Sequence, residues 1–319
     1  MENIETPVKQ INFLGSGSKL FGIYIVNLLL TVVTLGLYYP WAKASVLQYL
    51  YQETELEGSR FTFHGTGKEM FKGFIKAVGV FIVLYAILLY SMFTTDPIVK
   101  VSGFIIYFLA FLSLIPIAIH GSLKYRMSRT SWRSIHFGYR GELKELFAVF
   151  IKGILFTVIS FGLYSPWFTI SLRKYLMGKI RFGNVEFEYT GNGTEYAILI
   201  ISGYALTIVT LGIYSFWFAK DLINYYIDHI KLTQDGREIK LQSYLTGGAY
   251  FRLEIVNVLI IILTLGLAAP WATVRTLKVL LGNIFIEGEL DLDALVQTEK
   301  SYKNATGEDV ADMLDLGIV

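Results

Sequence analysis

Thr34-Leu-Gly-Leu-Tyr-Tyr-Pro-Trp41 recurs three times along the chain, as Ser160-Phe-Gly-Leu-Tyr-Ser-Pro-Trp167, Thr210-Leu-Gly-Ile-Tyr-Ser-Phe-Trp217 and Thr264-Leu-Gly-Leu-Ala-Ala-Pro-Trp271. The flanks stay in register. Fourteen residues before each Trp stands Asn27, Gly153, Gly203 or Asn257, and eight after the first three stands Tyr49, Tyr175 or Tyr225. Gly15, Gly141 and Gly191 precede the first three by 26 residues, and the fourth copy slips to Gly247 and Gly248. A further copy lies between the first and second. There Gly65-Thr-Gly67 matches Gly15-Ser-Gly17, and Pro116 precedes Tyr125 as Pro40 precedes Tyr49. Ile117 replaces its Trp, and 26 additional residues separate its glycine from its proline. Self-similarity at this period indicates a chain built from about five copies of one unit.

Composition says where such a chain belongs. It is 54% hydrophobic and only 17% charged, against about 25% charged in soluble domains, and its mean hydropathy is +0.51. Apolar blocks run over 20–39, 74–93, 101–119, 146–164, 196–214 and 255–269. Blocks near ~20 residues match a bilayer core, and Trp and Tyr cluster at their edges. There is no cysteine, which excludes disulfide and thiolate chemistry. A net charge of +2 gives no argument for nucleic acid. Residues 1–18 hold no apolar h-region, so a cleaved signal peptide is not expected.

Within one unit, Lys19 to Leu35 reads as a helix of ~25 Å. Gly36 suits its left-handed cap, and Pro40 suits the first turn of a second, amphipathic helix. Hairpins are expected around Gly58-Ser59, Gly183-Asn184, Asp235-Gly236 and Glu287-Gly288. The expected fold is therefore a mainly α integral membrane protein of about five internal repeats. Each is a membrane-embedded helix, turn and amphipathic helix, joined to the next by a short β-hairpin. The units fall near 15–64, 65–140, 141–190, 191–244 and 245–295, making one membrane domain over 1–295. Residues 296–319 read as a soluble tail, with a short helix expected at Asp309 to Leu314.

The block from Asn27 through Thr34-Leu-Gly-Leu-Tyr-Tyr-Pro-Trp-Ala-Lys43, the run Phe61-Thr-Phe-His-Gly-Thr-Gly67 and the stretch from Leu281-Gly-Asn to Ala294 resemble the YjgN family of bacterial inner-membrane proteins, a family of unknown function. The resemblance spans about Phe13 to Ala294. It departs at Phe216, which replaces a proline, and at Ala268-Ala269, which replace tyrosines. It implies a multi-pass protein of the bacterial inner membrane and no established biochemistry.

Topology stays open between two arrangements. Lys and Arg are plentiful in every connection except 94–100, which has one. The positive-inside rule puts the rich connections in the cytoplasm. That fits units entering and leaving on one side, whereas block length fits six full spans.

Candidate sites each carry a plainer reading. Trp41, Trp167, Trp217 and Trp271 suit a ligand-pocket wall or interfacial anchors. Asn27 and Asn257, at matching depth, suit a ligand or helix packing. Lys124, Arg126, Arg129 and Arg133 suit lipid headgroups or simply set topology. No histidine spacing fits a metal, and no catalytic constellation or cofactor motif occurs. The expected function is non-catalytic: interaction with membrane lipid or organisation of the membrane, with protein partners or self-association allowed and no nucleic acid. The alternative is a transporter or channel for a small solute. A lipid-acting membrane enzyme comes last.

Overall fold

The computed structural model describes residues 8–299, which form ten strands and ten helices. The strands are β1 Val8–Phe13, β2 Thr54–Leu56, β3 Ser59–Phe63, β4 Thr130–Trp132, β5 Ile135–Tyr139, β6 Ile180–Phe182, β7 Val185–Tyr189, β8 Ile230–Gln234, β9 Arg237–Ser243 and β10 Ile284–Glu287. The helices are α1 Gly17–Val33, α2 Tyr39–Gln52, α3 Gly67–Phe93, α4 Pro97–Ser128, α5 Leu143–Ile159, α6 Ser165–Gly178, α7 Gly193–Val209, α8 Ser215–Asp228, α9 Gly247–Leu263 and α10 Ala269–Leu281.

Every strand pairs antiparallel with its neighbours, and β1 pairs with both β2 and β10, so the ten strands close into a barrel. Each helix pair leaves one strand and returns into the next. All five pairs therefore rise from one barrel end, and the two-residue turns lie at the other. The turns at Glu57-Gly58, Arg133-Ser134 and Asp235-Gly236 hold both residues at positive φ, as the strand twist demands. The first turn lies one residue earlier than the sequence suggests, and Glu287-Gly288 is no hairpin, because β10 turns to β1.

Alternation within the strands decides what the barrel is. Leu56, Trp132, Phe182, Val185, Leu232, Ile239 and Ile286 fill its interior, each large side chain contributing about 1.5–3 kcal/mol. Arg60, Glu186, Glu188, Glu238 and Lys240 are exposed on its outer face. A membrane-spanning barrel has the reverse pattern, so this one is built for water. The segment after β10 closes the turn end. Leu290, Leu292 and Leu295 join the interior core. The fully buried Gln234 amide donates to Asp291 O (2.7 Å) and accepts from Asp291 N (2.9 Å). Arg133 pairs with Asp293 (2.9 Å), and Thr298 donates to Gly183 O (2.6 Å). The tail helix expected at Asp309 to Leu314 lies outside the described residues.

This architecture corrects the mainly α, repeat-built membrane fold read from the sequence. The hairpins are not connectors between independent units; their outer edges pair across units into one closed barrel. Nor do the described residues offer six helices of spanning length. Among the described residues only α3 and α4 are long and apolar enough to cross a membrane. The other apolar blocks run a 17-residue helix together with the turn that follows it, as 20–39 does with α1 and Thr34 to Tyr38. A strand of three to seven residues whose partner belongs to the neighbouring pair leaves no local sign of barrel closure.

Candidate functional site

The exposed apolar surface lies on the helix pairs, and its shape comes from the turn inside the recurring motif. Leu35 and Gly36 both adopt positive φ (50° and 92°), as do Phe161-Gly162, Leu211-Gly212 and Leu265-Gly266. Glycine meets the larger angle without a Cβ clash. Gly36 N–H then reaches back to Thr31 O (2.8 Å), closing α1. The Thr or Ser that opens the motif supplies the next acceptor. Its hydroxyl takes the N–H of Tyr38, Tyr164, Tyr214 or Ala268 at 2.9–3.0 Å. Turn backbone satisfied this way can sit in hydrocarbon. The tips present Leu35, Phe161, Leu211 and Leu265, which are 94–97% exposed. Such exposure of large apolar groups marks a contact surface.

The tryptophans hold neighbouring pairs together. A β-carbon on Gly67 would lie 2.3 Å from the Trp41 indole, and Gly193 and Gly17 stand likewise against Trp167 and Trp271. Gly247 and Trp217 complete the set at 2.4 Å. Each indole thus packs where the next pair begins, and Trp271 on Gly17 joins the last pair to the first. Tyr49 and Tyr225 latch two of the same corners, and Tyr175 latches the corner that has no tryptophan. Each hydroxyl accepts from the N–H and donates to the carbonyl of Ser16, Glu142 or Asn192, at 2.7–2.9 Å. The sequence carried a sign of the tryptophan contacts: Trp41 and Gly67, and Trp167 and Gly193, stand at the same separation.

Asn27 joins α1 to α2, donating to Ser45 Oγ (2.9 Å) and Ala42 O (3.3 Å). Asn257 donates to Thr276 Oγ1 (3.0 Å), and its own buried carbonyl oxygen has no hydrogen-bond partner. At the matching positions of the middle pairs, Gly153 and Gly203 receive the rings of Phe168 and Phe218. An open groove of about 640 Å³ between α1 and α2 has Asn27, Val26 and Tyr38 in its wall, with Lys19 and Glu53 at its foot.

The basic run does not form one patch. Arg129 is buried beside Glu69 in a two-point ion pair (3.1 and 3.3 Å), and Tyr125 donates to the same carboxylate (3.0 Å). Glu69 also completes a capping box with Thr66 at the start of α3. Arg133 lies at the opposite end of the barrel, bound to Ser59 Oγ and Asp293. Arg126 is exposed on α4, and Lys124 is half-buried there.

Beside Arg129, the rings of His64 and His136 lie 5.4 Å apart, and His64 Nε2 is 2.8 Å from Ser131 Oγ. Burial, with the charges of His64 and Arg129, holds the His136 imidazole below its ordinary value of about 6.5. The unfolded chain therefore takes up this proton at higher pH than the folded one. The contribution to stability is complete above that value and is lost as pH falls toward the folded one. Acidification from about pH 7.5 to about 5.5 is expected to lower the unfolding midpoint, and His136→Gln to flatten that dependence. An equally steep dependence in the variant would refute this assignment.

The family described as "Bacterial protein of unknown function (DUF898)" matches residues 8–190, 184–236 and 218–313. Inner membrane protein YjgN of Escherichia coli (strain K12) is 31% identical over 144 residues, covering 45% of this chain and 34% of the relative. Inner membrane protein YjgN of Salmonella typhimurium (strain LT2) is 33% identical over 133 residues, covering 42% and 32%. The matched stretch thus spans about a third of the length of these curated relatives. No solved structure matches the chain.

Proposed function

Because this chain belongs to the DUF898, or YjgN, family of bacterial proteins of unknown function, we propose that it is an inner-membrane protein whose helix pairs enter the bilayer from the cytoplasmic face while its barrel stays in water. Its role on this reading is non-catalytic, with membrane lipid as its partner. The observation that carries the reading is the set of bare apolar tips, all pointing away from a barrel with a charged outer face.

Helix length gives the depth of entry. Lys76 and Lys152 each stand ten residues past their N-caps, Thr66 and Glu142, hence at a similar height of ~15 Å. Lysine at that height suits the headgroup layer. From Lys152 to the exposed Phe161 is ~13 Å, about one leaflet of a ~30 Å core. From Lys76 to Phe93, the end of α3, is ~25 Å. On this account the α3–α4 hairpin crosses the membrane and the four short pairs enter only the near leaflet. The spanning windows of α3 and α4 are only 6% buried within the protein, so lipid takes the place of a protein core. The groove between α1 and α2, with Lys19 at its foot, offers a place for one acyl chain and its headgroup.

Single cysteines test this topology, since the chain has none of its own. A membrane-impermeant thiol reagent applied from the periplasm is expected to label Thr95→Cys and to spare Ser59→Cys and Gly183→Cys. Labelling at Ser59 or Gly183 from that side would sink the one-sided arrangement.

A further inference from the structure

One corner between helix pairs differs chemically from its counterpart. Where α1 packs against α2 and α10, the core contains Phe13, Leu20, Leu50 and Leu277. The same four positions, counted from the glycine, the N-cap, the latching tyrosine and the tryptophan, are Tyr189, Tyr196, Tyr226 and Arg173 where α7 packs against α6 and α8. Four hydrocarbon side chains are thus matched by three hydroxyls and a guanidinium.

The geometry gathers them. The Arg173 guanidinium carbon lies 3.4 Å from the centre of the Tyr226 ring, and the Tyr226 and Tyr196 hydroxyls hydrogen-bond to each other. Arg173 is half-buried, and no carboxylate pairs with it among the described residues. Stacking occupies the face of a guanidinium and leaves its in-plane N–H donors open. Tyr189 is 2% exposed, and its buried hydroxyl has no hydrogen-bond partner. The Arg173 charge acts on the hydroxyls of both Tyr189 and Tyr196, opposing the upward push that burial gives them. A buried hydroxyl left unpaired is costly, as is a cation drawn out of water without a counter-charge. One anion meets both needs.

We propose that Arg173, Tyr189, Tyr196 and Tyr226 form a binding site for a phosphate group, with Arg173 giving the in-plane N–H bonds, and with the Tyr189 hydroxyl and whichever of Tyr196 and Tyr226 does not donate to the other donating from the sides. The group is either free phosphate or a phospholipid headgroup. The proposal does not depend on the depth at which the helices enter the membrane.

The test uses the full chain in detergent, titrated with inorganic phosphate or with soluble short-chain phosphatidylglycerol, against chloride at equal ionic strength. Thermal unfolding and native mass spectrometry are the readouts. Saturable stabilisation by inorganic phosphate identifies a free-phosphate site, and stabilisation by the lipid alone identifies a headgroup site. Arg173→Leu, which installs the residue type found in the apolar corner, is expected to melt cooperatively and to bind about a hundredfold more weakly. Tyr189→Phe removes a single oxygen, keeps the ring and is expected to weaken binding about tenfold. Absence of stabilisation by either probe, or equal binding by wild type and both variants, overturns the proposal.

Discussion

Gly67→Leu will cost about 3 kcal/mol of stability, and adding Trp41→Ile will restore the part of it that comes from the indole. The single variant forces a side chain into space held by the Trp41 indole, with the Trp41 Cα only 2.7 Å from the new β-carbon. Neither partner has room to retreat, since Trp41 also packs on Phe71 (centroids 5.0 Å apart). The rescue is suggested by the chain itself. Where Ile117 replaces the tryptophan, the position matching Gly67 is Leu143. Large meets small at four corners, and the fifth has isoleucine and leucine at the two matching positions. Unfolding of the two single variants and the double variant in detergent closes the cycle. Strictly additive losses would show that tryptophan and glycine are not coupled.

A second large loss is expected at the foot of the long hairpin. Glu69→Leu strands Arg129, whose side chain is only 9% exposed. Removing one member of a buried ion pair costs about 3–5 kcal/mol. Glu69→Gln keeps the cap on Thr66 and an acceptor for Tyr125, so its loss should be smaller. Glu69→Leu combined with Arg129→Met removes both charges and should be milder than Glu69→Leu alone. Denaturant unfolding ranks the three. A double variant worse than Glu69→Leu would mean that Arg129 contributes chiefly through other contacts.

The sequence was legible wherever the physics is local. Thr34, Gly36 and Pro40 act through backbone angles and bonds spanning a few residues, so the turn and the helix starts could be read directly. The barrel could not. Leu56 belongs to a three-residue strand, and its contacts in the core lie on strands far along the chain. Nothing near it states that the sheet closes. Hydropathy also overreached at residues such as Leu35 and Leu37, which extend an apolar block although they belong to a turn. Asn27 and Asn257 were legible as buried polar positions, and their partners Ser45 and Thr276 needed coordinates. The phosphate corner was hidden for another reason. Arg173, Tyr196 and Tyr226 are unremarkable singly, and their departure from Leu277, Leu20 and Leu50 emerges only once the packing partners are known.

Pairing of Val8 with Glu287 also sets an order of events for a chain made from its N-terminus. β1 is made before every other strand of the barrel, yet one of its edges waits for β10, the last of them. Until β10 arrives, the growing sheet carries two open edges, each able to recruit a foreign strand. All five helix pairs are made while that sheet is still incomplete. A chain interrupted before residue 284 therefore yields an open sheet rather than a smaller barrel. The barrel cannot finish region by region; it is sealed in one late step joining its first and last strands.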